Sequence, residues 1–223
     1  MAHVVYVHGL WMPGEESLIL RHRLAQDFGL TLHPFRYSAA WSIATIVAHL
    51  HAFVCEIGAG AADAAGTSGT AGTAGTLHFV GHSLGGLVIY RFLERHPDPP
   101  PGRVVFLGTP CVGSRAAERA GRFGPVAQLM GRSVAEELLH THARHWGHAR
   151  ELGVIAGSQS IGVGHLIAGF DEPNDGTVAV SETRMPGAAD HLVLPVSHMG
   201  MLVSARVARE TGHFLAEGRF SLR

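Results

Sequence analysis

Short apolar runs alternate along this chain with longer stretches whose apolar positions recur every third or fourth residue. Val4-Val5-Tyr6-Val7 is continuous apolar sequence, the signature of a strand buried on both faces. Glu15 to Phe28 follows with Leu20, Leu24 and Phe28 at helical spacing. Leu32 to Phe35 predicts a short strand, and Ser42 to Ile57 an apolar helix. Leu77-His78-Phe79-Val80 predicts the next strand and Leu84 to Arg95 the next helix. Further strands are expected at Val104 to Leu107, Gly153 to Ala156 and His191 to Val196, and Met199 to Ala216 closes the chain as a helix. Strands alternating with helices predict an α/β protein, with a mostly parallel sheet of about six strands and helices on both faces.

Two stretches fall outside this rhythm. Ala59 to Thr76 is almost wholly Ala, Gly, Thr and Ser, with Gly-Thr recurring at 66, 69, 72 and 75. It is expected to be a flexible loop within one domain spanning 1–223, because the strand after it continues the same sheet pattern. Pro110 to Leu152 is longer than the roughly 20 residues one crossover helix needs. It contains a helical pattern at Ser133 to His142 and the apolar residues Phe123, Leu129, Met130 and Trp146. The excess fits either a small cap within 111–150 or two packed helices with no part in binding.

Composition narrows the class. The chain has 223 residues, 46% hydrophobic and 16% charged, enough for a core without staples and too apolar for disorder. A net charge of -1 gives no reason to expect nucleic acid or an anionic membrane as partner. Cys55 and Cys111 make no disulfide framework and are expected to be buried thiols. No apolar run reaches the roughly 18 residues of a membrane span. Ala2 and the immediate strand leave no signal-peptide pattern, so the cytoplasm is the expected compartment.

The chemistry concentrates at Gly81-His82-Ser83-Leu84-Gly85-Gly86, set between a strand and a helix. A Gly-x-Ser-x-Gly in that context makes a sharp, strained turn that presents the serine hydroxyl over the sheet edge. Gly81 and Gly85 supply the small residues that the close approach of helix and backbone demands. The plain alternative is a glycine-rich turn in another α/β protein. A serine nucleophile needs a general base and a carboxylate to orient it. Among 17 histidines, His198 stands out because it follows the last strand and precedes the final helix. His165, His191 and His213 are weaker candidates. Asp175, in Pro173-Asn174-Asp175-Gly176-Thr177-Val178, is the preferred acid, with Asp171 and Glu172 near enough to compete. Asn-Asp-Gly is also a turn signal in its own right. The oxyanion would be held by the N–H of Leu84, at a helix N-terminus, and by that of Leu10 or Trp11 in the His8-Gly9-Leu10 loop.

Taken together, His8-Gly9-Leu10, the Ser83 hexapeptide, Gly108-Thr109-Pro110, Asn174-Asp175-Gly176-Thr177-Val178 and Ser197-His198 resemble the α/β-hydrolase superfamily, and within it small serine esterases and lipases. The resemblance implies Ser83 as nucleophile, Asp175 as acid, His198 as base, and Leu10 and Leu84 as the oxyanion hole. It implies a reduced sheet lacking the family's opening hairpin, and carboxylic ester hydrolysis through an acyl-enzyme on a small-molecule ester or acyl substrate. Thioester hydrolysis or acyl transfer with the same triad remains open, as does a binding protein on the same fold. The 59–76 stretch matches nothing in the family. No cofactor is expected. His140, His142, His145 and His148 cluster in sequence, and His145 and His148 could share a helix face, but no cysteine or carboxylate joins them at ligand spacing. Oligomeric state is not legible from the sequence.

Overall fold

A computed structural model describes residues 2–10, 12–38, 40–64, 75–114, 137, 144–161 and 171–222. Six strands, β1 (His3–Val7), β2 (Thr31–Phe35), β3 (Leu77–His82), β4 (Val104–Leu107), β5 (Leu152–Gly157) and β6 (Asp190–Leu194), form one sheet. Its order is β2-β1-β3-β4-β5-β6, and all five pairings are parallel. Four α-helices are described: α1 (Leu18–Phe28), α2 (Ile43–Ala64), α3 (Leu84–Arg95) and α4 (Ala205–Glu217). Because all strands run the same way, every loop that leaves a strand emerges at one edge of the sheet, and ligands of open α/β sheets bind there.

Side-chain alternation in the strands divides the core into two layers. Val5 and Val7 of β1 and Phe79 of β3 pack with Ile46 and Leu50 of α2 and Leu87 of α3. Val4, Tyr6 and Val80 point the other way, onto Leu20 and Leu24 of α1 and Val207 and Phe214 of α4. Both faces are therefore covered, which is why the strands read as continuous apolar runs.

The boundaries differ from the sequence reading in three places. α2 does not end at Ile57 but continues to Ala64, into the Ala/Gly/Thr stretch. Its added residues include four alanines, and alanine favours the helix most strongly. The closing helix is broken: a short 3₁₀ turn spans Gly200–Leu202, and α4 starts only after Ser204, whose Oγ accepts the Val207 N–H and caps it. β6 ends at Leu194, so Pro195 and Val196 belong to the loop. The remainder of the glycine-rich stretch at 65–74, most of the segment considered for a cap and the helix expected at Ser133 to His142 (Glu137 apart) lie outside the described residues, as do Trp11, Met130 and His165. Cys111 is buried, but Cys55 is exposed on α2, its Sγ 3.8 Å from His51 Nε2, correcting the expectation of two buried thiols. No described helix is long and apolar enough to cross a membrane.

Candidate active site

Ser83 sits between the last residue of β3 and the first of α3. Its φ of 54° makes it the one residue other than glycine with positive φ among the described residues. That backbone costs an L-residue about 1–3 kcal/mol and persists only where its surroundings impose it. They do so here. The Ser83 N–H donates to Leu107 O on β4 (2.8 Å), and its carbonyl accepts the Gly86 N–H (3.1 Å). A Cβ at Gly81 would lie 2.6 Å from Gly86 Cα, and one at Gly85 would run into the Val7 carbonyl of β1. Strand and helix thus meet at contact distance, and only glycine fits both positions. The Ser83 side chain does not cap α3, although serine commonly does so at this position. Leu84, the first residue of α3, has one of the N–H groups that the helix itself cannot satisfy.

The His8-Gly9-Leu10 loop lies against this turn. A Cβ at Gly9 would be 3.1 Å from Ser83 Cβ. His8 is buried and fully hydrogen-bonded: its Nδ1–H donates to Gly9 O (2.7 Å), and its Nε2 accepts the Tyr37 N–H (3.1 Å). The Tyr37 hydroxyl donates to His8 O, and the two rings stack at 4.3 Å. Burial holds the His8 pKa below its ordinary value, so the imidazole stays neutral and keeps the Nε2 lone pair this bond requires. Leu10 is partly buried and packs against the α2–α3 side of the core.

Asp175 and His198 come together from loops 23 residues apart. His198 Nδ1–H donates to Asp175 Oδ2 at 2.7 Å, and the His198 N–H donates to the Asp175 carbonyl at 2.8 Å. The carboxylate is fully buried, and its other oxygen accepts the N–H groups of Thr177 (2.9 Å) and Val178 (2.7 Å). The Asn-Asp-Gly turn therefore has a second use: its backbone N–H groups occupy Oδ1 and aim Oδ2 at the imidazole. With Nδ1 spent on Asp175, Nε2 is the ring nitrogen of His198 left with a lone pair.

The other candidates lie elsewhere. Asp171 is exposed, and the Glu172 backbone carbonyl accepts the Asn174 side-chain amide. His191, within β6, bonds the Thr183 hydroxyl, and His213, on α4, bonds the Arg219 carbonyl. His148 packs edge-on against Trp146 and Tyr90.

Two residues at the site stood within the quoted motifs but were assigned no role from the sequence. Gly108, at the end of β4, has φ 56°, and a Cβ there would fall 3.0 Å from Asp175 Oδ2 and 3.1 Å from His198 Nδ1. The Gly-Thr-Pro turn is thus the floor beneath the Asp175–His198 pair. A glycine following a strand hinted at a special backbone, but not at what lay above it. His82, the neighbour of Ser83, is fully buried against His198.

No protein-family model matches the chain, and a search of curated proteins returns no match. Solved structures do match. The mature form of the Bacillus licheniformis lipase BlEst2 superposes with a TM-score of 0.70 at 19% identity, over 96% of this chain and 91% of that one. The metagenomic carboxyl esterase MGS0156 gives 0.61 at 18%, over 88% and 64%. The RedJ thioesterase from the prodiginine pathway of Streptomyces coelicolor gives 0.56 at 14%, over 95% and 89%. Likeness at such low identity concerns architecture, and the parallel sheet, the strained serine turn between β3 and α3 and these neighbours agree on it: the chain has the α/β-hydrolase fold.

Proposed function

We propose that the protein is a serine hydrolase that cleaves carboxylic esters through an acyl-enzyme. The observation that carries the reading is the buried Asp175–His198 hydrogen bond at the same sheet edge as a serine held in a strained turn. Ser83 Oγ attacks the substrate carbonyl while His198 Nε2 takes the hydroxyl proton. The carbonyl electron pair moves onto oxygen, and the N–H groups of Leu10 and Leu84 stabilise that oxyanion. As the carbon–oxygen bond breaks, the proton passes from Nε2 to the departing alcohol. Water then attacks the acyl-enzyme, again losing its proton to Nε2, and the acid leaves as the Ser83 hydroxyl is restored. Asp175 stays ionised throughout and fixes the imidazole with its proton on Nδ1.

The lipase, esterase and thioesterase among the structural neighbours make acyl transfer the natural chemical class. Oxygen and sulfur leaving groups need the same machinery, so the substrate series has to include both. The test is hydrolysis of p-nitrophenyl esters from acetate to palmitate and of acyl thioesters, with fluorophosphonate labelling alongside. Wild type should label and turn over, and Ser83→Ala should do neither. A folded wild type that neither labels nor cleaves any member would leave a ligand-binding protein on a hydrolase fold.

A further inference from the structure

β3 presents Val80 and His82 to the same side of the sheet, because they are two residues apart. Val80 belongs to the core layer facing α1 and α4. The next position in that row would suit an apolar side chain, yet it holds a fully buried imidazole. Its Nε2–H donates to the His198 carbonyl at 3.1 Å, while Nδ1 is buried with no hydrogen-bond partner. A buried nitrogen left unpaired is unfavourable, and such groups in native proteins call for an explanation. The one bond the ring makes supplies it.

We propose that His82 is a positioning residue that ties the loop carrying His198 to the turn carrying Ser83. This rests on the serine hydrolase reading above. The two loops are 116 residues apart in the chain, and His82 bridges them directly. Its ring also lies against the His198 ring, with centroids 4.6 Å apart. The tether acts on the backbone of His198, whereas Asp175 acts on its ring and its N–H, so the base is held from two sides. The arrangement needs a neutral His82, since a cation there would face the imidazolium that forms on His198 during turnover. Burial, with the neighbouring His198 and His8 adding to it, holds the His82 pKa well below its ordinary value. Arginine or lysine at this position would bring the charge that the site excludes, and an apolar residue would pack but let the loop go.

The test compares wild type with His82→Leu, which fills the space without donating, and His82→Gln, whose side-chain amide can reach the same carbonyl. Thermal unfolding checks that each variant is folded. Two readouts are taken: steady-state ester kinetics, and the downfield NMR resonance of the His198 Nδ1 proton, which reports the Asp175 hydrogen bond without any substrate. His82→Leu should lower kcat on the order of 10- to 10²-fold with KM little changed, the scale of a misplaced catalytic group, and should broaden or erase the resonance. His82→Gln should recover most of both. A folded His82→Leu with wild-type kcat and an unaltered resonance overturns the proposal, as does a Gln variant no better than Leu. If wild type itself fails to label or turn over, the hydrolase reading is what fails, and the resonance alone decides whether His82 holds His198.

Discussion

At Gly108 one hydrogen atom in place of a methyl group decides whether Asp175 and His198 can meet. Gly108→Ala brings two penalties at once: an L-residue at φ 56°, and a Cβ about 3 Å from both members of the pair. We expect kcat to fall at least about tenfold and the melting temperature to fall with it, measured by ester turnover and calorimetry; a fully active variant would mean the pair is not seated as described. Asp175→Asn keeps the size of the side chain but removes its charge and favours the wrong imidazole tautomer. The expected loss in kcat is on the order of 10³- to 10⁴-fold with the fold intact. At this scale the sequence exposed Ser83, whose glycine neighbours declare a tight turn, and it offered Asp175 and His198 by their order along the chain. It set Gly108 and His82 within motifs but could not say what either one touches. Their importance comes from contacts with residues 67 to 116 positions away, and no local pattern records such contacts.

At the scale of elements, the contact between α3 and β1 matters most. Gly85→Ala would gain about 0.5–1 kcal/mol of helix propensity. It would also place a Cβ against the Val7 carbonyl, and backbone cannot move aside as a side-chain tip can. Overpacking of this kind costs about 1–3 kcal/mol, so the clash wins. A lower urea midpoint together with reduced turnover is the expected result, and an unchanged or raised midpoint would show that α3 can slide. Strands were the easiest elements to read, since a sheet covered on both faces leaves uninterrupted apolar runs such as Val104 to Leu107. Helix ends were harder. α2 runs on because its alanines favour the helix although they add little to the hydrophobic period, and the last helix breaks because Ser204 offers a cap that hydrophobic spacing does not show. The long β4–β5 connection gave one helical pattern, at Ser133 to His142, and its apolar residues did not decide between a cap and packed helices.

Across the whole molecule, several buried histidines tie stability to pH. His78 on β3 accepts the Arg103 N–H at Nδ1 (3.0 Å), and burial, with Arg103 and Arg150 nearby, pushes its pKa down to about 4. In the unfolded chain the same side chain has its ordinary value of 6.5. Above pH 6.5 neither state binds the proton and the native state keeps its full margin. As pH falls from 6.5 to 4 the unfolded chain takes up a proton that the native state refuses, so stability declines, and below 4 the loss levels off. Urea midpoints at pH 7, 5.5 and 4.5 should therefore decrease. His78→Asn, which retains an acceptor for Arg103, should show a shallower decline; parallel slopes would exclude His78 as a source.

β6 is the outermost strand on its side of the sheet and pairs with β5 alone among the described residues, and His198 rides on the loop that follows it. Ser83, the proposed nucleophile, springs by contrast from the end of β3, flanked by β1 and β4. The proposed nucleophile and the proposed base are thus anchored in parts of the protein with different tendencies to open. An edge strand peels more readily than an interior one, and amide hydrogens there exchange with solvent first. Warmed or mildly denatured protein would therefore release His198 while Ser83 was still held, and on the proposed mechanism inactivation would run ahead of global unfolding.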